Sequence, residues 1–204
     1  MGKSTNFWVH PSQSILTLPG KLYRIVARLD GINFYLIPFF CLKVVMPQTM
    51  MPQFEILERS GIGPVRLGMT RSQVRDALAH FPDSGLDQDS HPTLDYAFGN
   101  SLQIEYDDAG HAQFIGAGFY KGCGCDYMFR DRHVGEYGAN ELFRVLAEID
   151  GGSHDFNEYD YFFPNIMMTV WDADSQYDYL GGESRAVYGQ IGVANQTYCD
   201  AAER

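Results

Sequence analysis

Cys123 and Cys125, in the run Lys121-Gly122-Cys123-Gly124-Cys125-Asp126, are the residues whose types most directly offer chemistry. With His111 or His133 they supply the donors of a zinc site. A structural zinc site ordinarily shows two spaced ligand pairs, however, and a single pair separated by one residue stands here. A nucleophilic cysteine needs a histidine base held by a third group. Cys125, His133 and Asp126 or Glu136 supply those types, so a cysteine-dependent hydrolase or thiol enzyme is the second reading of the chain. Two thiols in a glycine-rich connection is the simpler expectation.

Other spacings are weaker. Asp172, Asp174, Gln176, Asp178 and Glu183 follow the ligand spacing of a calcium loop. Tyr177 occupies the position that requires glycine there, and the flanks look like strands rather than helices. Gly61-Ile62-Gly63-Pro64 lacks the Gly-Lys-Ser/Thr of a phosphate cradle, and its glycines are expected to make the turn that leads into the capped helix. Asp107 and Asp108 lie in a turn sequence, where aspartate is common. The histidines (His10, His80, His91, His111, His133, His154) form no ligand-spaced pair. No catalytic residue, cofactor or metal is expected.

The most distinctive chemistry is in the window 145–184, with nine acids and no lysine or arginine. Tyr159, Tyr161, Trp171, Tyr177 and Tyr179 are interleaved with them. Like charges at that density repel unless something cationic meets them. Tyrosine and tryptophan are frequent interface anchors, and carboxylates beside them speed association with a basic protein. The expected contact residues are Asp155, Glu158, Tyr159, Asp172, Asp174, Tyr177, Asp178, Tyr179 and Glu183.

The elements that would carry these residues are legible in part. Thr70 is a good N-cap, and Gln73 three residues on completes a capping box. Val74, Ala77, Leu78 and Phe81 then form one apolar stripe, ended by Pro82 and Gly85. Leu142, Val145, Leu146 and Ile149 repeat the stripe before Gly151-Gly152. Strand signals follow both. Leu102, Ile104 and Tyr106 alternate with Gln103 and Glu105, and Met167, Thr169 and Trp171 stand 65 positions after those apolar residues. The spacing predicts an α+β fold of two helix-plus-three-strand units, about 61–120 and 135–198. Their antiparallel sheet would be covered on one face by the helices, and the second unit would carry the longer hairpin, around 177–183.

Gly68-Met69-Thr70, followed by Val74, Leu78 and Pro82, resembles the helix opening of the SmpA/OmlA outer-membrane assembly lipoproteins. It is also similar to β-lactamase inhibitor protein, whose fold is a tandem repeat of such units. The second unit has Glu136-Tyr137-Gly138 where that motif would recur, and no export signal is evident. The resemblance implies the fold above and a non-enzymatic, protein-binding habit. It assigns no functional residue, and it leaves a structural subunit of an envelope assembly as a third reading.

Residues 1–50 differ from the remainder. They carry a net charge of +4, leaving −15 for 51–204 out of the total of −11. Their apolar run 32–45 is shorter than the roughly 20 residues of a membrane-spanning helix. Met46, Met50 and Met51 cluster where the composition changes. The expectation is that translation starts there and that 1–50 is an N-terminal extension, non-native or weakly ordered, ahead of a single domain over 51–204. A strand-rich arm packing on the domain is the alternative.

At 204 residues the chain is long enough for a sizeable core without a metal or disulfide staple. The acidic balance argues against nucleic acid and anionic membrane as partners. Four cysteines fit a reducing compartment, here taken as the bacterial cytoplasm. The reading is therefore a non-enzymatic bacterial binding or inhibitor protein, an immunity protein neutralising a basic toxin.

Overall fold

The computed structural model describes residues 15–18, 21–26, 35–38, 51–87, 91–120, 123–177 and 184–202. The chain divides into two compact units, Met1–Thr49 and Met50–Arg204. In the first, β1 (Ile15–Leu18), β2 (Lys21–Val26) and β3 (Tyr35–Pro38) form an antiparallel sheet in that order.

The second unit contains two sheets. The smaller is built from β4 (Gln53–Leu57), β5 (Gly61–Ile62), β6 (Val65–Arg66), β10 (Asp126–Phe129) and β11 (Arg132–His133), in the order β11-β10-β4-β5-β6. The larger is built from β7 (Leu94–Ala97), β8 (Leu102–Tyr106), β9 (Ala112–Gly118), β12 (Asp160–Phe163), β13 (Met168–Tyr177) and β14 (Ser184–Ala194). Its order is β12-β13-β14-β9-β8-β7, with every neighbouring pair antiparallel.

Three α-helices stand among the described residues: α1 (Arg71–Leu78), α2 (Ala139–Asp150) and α3 (Gln196–Ala202). The Thr70–Gln73 capping box opens α1, with Thr70 Oγ1 accepting from Gln73 N and Gln73 Oε1 accepting from Thr70 N. A 3-10 turn at Pro82–Ser84 follows it. Gly151, at φ 76°, closes α2 in a left-handed conformation that costs glycine nothing. None of the helices among the described residues is long and apolar enough to cross a membrane.

This architecture corrects the expected α+β class. The unit is mostly strand, in sheets of five and six strands, and is not a pair of helix-plus-three-strand repeats covered by helices. The cover of the larger sheet comes substantially from the smaller one: β5 lies against β9 and β14, and β6 against β9. Phe54, Ile56, Ile62 and Val65 enter the same core as Ile104, Ile115, Ile191 and Val193. The helices contribute at the flanks, α1 beside β6 and α2 beside β12 and β14. Local periodicity misses this because the smaller sheet depends on a parallel pairing of β4 with β10, Gln53 opposite Asp126. Its other strands, β5 and β6, are two residues each. The glycines ahead of the capped helix shape the β5–β6 hairpin, Ile62 pairing with Val65.

Candidate functional site

The two faces of the larger sheet have different fates. Tyr161 and Phe163 of β12 turn toward Phe143 of α2, with ring centroids 4.8 and 5.1 Å away. Alternation then sends Asp160 and Phe162 to the opposite face. The register continues that face across the sheet: Asp160 lies opposite Trp171, and Trp171 opposite Gln190. A second row runs Phe162, Thr169, Gly192, Gly116, Gln103 and Tyr96.

One end of this face is covered. Tyr198 of α3 stacks on Phe114, with ring centroids 4.8 Å apart. The Phe114 ring reaches over Gly192, where a Cβ would crowd Phe114 Cε2 and stand 2.6 Å from Thr169 Oγ1. Beside it, Gln190 Nε2 donates to Gln103 Oε1 (3.2 Å), and Gln103 Nε2 donates to Glu105 Oε1 (2.7 Å). Burial holds the Glu105 carboxyl above its ordinary range, against the opposing pull of the Gln103 hydrogen bond.

The other end is open. Trp171 is 57% exposed and Tyr159 77% exposed, while Asp155, Glu158, Asp160, Asp172 and Asp174 are all exposed. The segment leading into β12 is nevertheless held at several points. The side chain of Asp150, at the end of α2, is fully buried and accepts from Asn165 N (2.7 Å) and Ile166 N (3.0 Å). His154 Nε2 stands 3.0 Å from Asp150 Oδ2, close but not aligned as a hydrogen bond, and His154 Nδ1 is 3.0 Å from the Tyr161 hydroxyl. Phe156 packs edge-on against Phe143 at 5.4 Å. Asn157 O accepts from the Tyr188 hydroxyl (2.5 Å), and Asn157 Oδ1 accepts from Tyr159 N (2.8 Å). Burial first, then the Glu158 carboxylate, push the Tyr188 hydroxyl well above an ordinary tyrosine.

Glu158 and Tyr159 are tied to β13 through their carbonyls, which accept from Ala173 N (2.6 Å) and Asp172 N. Asp172 itself has φ 56°, a left-handed conformation inside a strand. Arg185 of β14, the first cation after this stretch in sequence, is engaged elsewhere: it donates to Gly135 O (2.7 Å) and Glu136 O (2.9 Å). Among the described residues, no ion pair involves Asp155, Glu158, Asp160 or Asp172.

Five of the nine expected contact residues thus have described side chains, and the structure brings Glu158, Tyr159 and Asp172 together, with Asp155 in the segment ahead of Glu158 and Asp174 following Asp172 in β13. Tyr177 is placed by its backbone at the end of β13, paired with Ser184. Asp178, Tyr179 and Glu183 lie outside the described residues. Sequence reasoning did not name Trp171, Asp160, Gln103, Glu105 or Gln190 as site residues. Their signal was the alternation itself, which puts Asp160, Trp171 and Gln190 on one face once the register is known.

The other candidates resolve differently. Cys125 is fully buried, with Ser101 Oγ 3.6 Å from its sulfur and the Tyr127 hydroxyl 3.0 Å from the same Ser101 Oγ. Burial pushes its thiol up to about 11, which keeps the proton on sulfur. Cys123 Sγ donates to Cys125 O (3.1 Å). His133 lies 3.3 Å from Asp126 and caps a 3-10 turn by accepting from Gly135 N (3.2 Å). That is the chemistry of packed core thiols. Asp172 and Asp174, the first members of the calcium spacing, sit in the extended strand β13 rather than in a loop. No group of three or more potential ligands converges among the described residues. Asp107 is a turn residue whose Oδ1 accepts from Ala109 N (3.0 Å) and His111 N (2.8 Å).

No protein-family model, curated protein or solved structure matches this chain.

Proposed function

We propose that this chain is a non-enzymatic bacterial binding protein that neutralises a basic protein partner, in the manner of an immunity protein against a toxin. It would do so by covering the partner with the acidic, aromatic edge of its larger sheet. The observation that carries the reading is the exposure of Tyr159 and Trp171 beside Glu158, Asp160 and Asp172, carboxylates without an ion pair among the described residues. Carboxylates of one sign steer a cationic partner and raise its association rate. The two rings then supply the area that sets the lifetime of the complex. The anchoring of His154, Phe156 and Asn157 supports the same reading, since a loop ordered in advance loses less entropy on binding. The likeness of Gly68-Met69-Thr70 to assembly and inhibitor proteins accords with a binding habit.

The test compares the immobilised chain with a variant in which Asp155, Glu158 and Asp160 are changed to Lys, both challenged with extract of the source organism. The expected result is a basic protein retained by the parent and lost by the variant. Its association with the parent should slow steeply as salt is raised. Against that captured partner, Tyr159→Ala or Trp171→Ala should speed dissociation about tenfold or more, as expected of a central anchor. Identical retention by parent and variant, or association indifferent to salt, would overturn the proposal.

A further inference from the structure

Three arginines of this protein share one kind of seat. Arg71 lies 5.1 Å from the Tyr106 ring centroid with Nη2 2.6 Å from Asp95 Oδ1. Arg130 lies 5.8 Å from the Phe129 ring with Nη2 2.7 Å from Glu58 Oε1. Arg132 lies 4.2 Å from the Tyr137 ring and pairs with Glu141. Each seat is an aromatic face with a carboxylate beside it, filled by a guanidinium.

Trp171 and Asp160 form the same pair without the guanidinium. They are directly opposed on adjacent antiparallel strands, so their Cβ atoms lie about 5 Å apart on one face of the sheet. Both are exposed, and among the described residues no cation lies over the indole or against the carboxylate. Gln190 closes the other flank of Trp171. The geometry points to a specific role: Trp171 and Asp160 are the seat for an arginine side chain of the partner, which stacks on the indole while donating to the carboxylate. The inference rests on the docking reading above and names the group that reading leaves open. Arginine fits better than lysine because its planar guanidinium stacks and presents two parallel donors at once, whereas an ammonium is a compact, strongly hydrated point charge.

The probes are acetylated tetraarginine and tetralysine, peptides of equal charge, titrated by calorimetry at low salt. A Trp8→Phe background leaves Trp171 as the remaining tryptophan of the two in the chain, so its emission reports occupancy directly. Tetraarginine should bind about two- to fivefold tighter than tetralysine and should shift the Trp171 emission more strongly. Asp160→Asn and Trp171→Leu should each erase that preference while leaving the thermal unfolding midpoint in place. Asp108→Asn, a carboxylate lost from an exposed turn elsewhere, should leave it intact. Equal affinity for the two peptides, with both weakened by reversing Glu158 and Asp155, would overturn the arginine seat and leave the acidic docking face standing. Failure of both peptides to bind, or tighter binding of tetralysine, would overturn the arginine seat, and failure of both would overturn the docking face with it.

Discussion

Asp95 offers a quantitative test of how the larger sheet is held at its β7 edge. Its carboxylate is fully buried, accepting from Arg71 Nη2 at 2.6 Å and from the Tyr106 hydroxyl at 2.7 Å. Arg71 also donates to His91 O and Leu94 O, so the guanidinium clamps the start of β7 to α1. Asp95→Ala removes both acceptors at once. Hydrogen bonds to a charged group are worth about 1.5–3 kcal/mol each, and the Tyr106 hydroxyl is left inside without a partner. The Arg71 side chain is 31% exposed, however, and keeps its carbonyl partners, so it recovers part of its loss. The cost should therefore fall near the lower end of the range for a broken buried pair, about 3 kcal/mol. Tyr106→Phe removes a single bond and should cost about 1.5 kcal/mol. Arg71→Met should cost the most, about 4 kcal/mol, because it removes the cation that compensates a carboxylate buried in the core. Urea unfolding followed by far-ultraviolet circular dichroism, with a common m value, measures all three. An Asp95→Ala variant within 0.5 kcal/mol of the parent, roughly the scatter of an ordinary surface change, would refute the reasoning. So would an Arg71→Met variant more stable than Tyr106→Phe.

Alkaline pH should unfold the protein early. Burial raises the Cys125 thiol to about 11 and the Tyr198 hydroxyl to about 12, and it also raises Tyr106, Tyr127 and Tyr188. The folded state thus holds protons that the unfolded chain releases near 8.5 for cysteine and 10 for tyrosine, so stability is intact below those values and falls as pH climbs through the folded ones. Absorbance of tyrosinate should appear together with loss of near-ultraviolet dichroism; ionisation of all tyrosines ahead of unfolding would contradict their burial. Gly192→Ala crowds a methyl against Phe114 Cε2 and should cost about 1–3 kcal/mol, read by the same urea titration. An unchanged midpoint would mean that the Phe114 ring does not reach over Gly192 as described.

What the sequence displayed clearly was local. The capping box of Thr70 and Gln73 is present atom for atom, and β8 alternates buried Leu102, Ile104 and Tyr106 with half-buried Gln103 and Glu105. Both are properties of a few consecutive side chains. The smaller sheet was hidden because its defining bonds join Gln53 to Asp126 and its strands β5, β6 and β11, of two residues each, are too short to show a period. Asp95 was hidden for a related reason: a charged residue in a strand reads as solvent-facing, and the arginine that admits it to the core is 24 positions away. The candidate site was legible as composition, since nine acids without a cation need no coordinates to be noticed. Its orientation was not. Tyr161 and Trp171 look equivalent in the window, yet Tyr161 packs on Phe143 and Trp171 faces water, a distinction made by register.

The arrangement around Asp172 ties these points to function. A non-glycine residue at φ 56° costs about 1–3 kcal/mol, and aspartate is among the residues that bear it best. That conformation aims the amides of Asp172 and Ala173 at the carbonyls of Tyr159 and Glu158. Without those bonds the chain entering β12 would have Asn157 and Phe156 as its last fixed points, and Glu158 and Tyr159 would be free to fold back on the sheet. The strain therefore sits where it holds an exposed tyrosine and a glutamate away from the core, on the same edge as Trp171 and Asp160. On the proposed reading, the brace holds these groups in the one position in which a basic partner would meet them, so loosening it should slow association and shorten the lifetime of the complex.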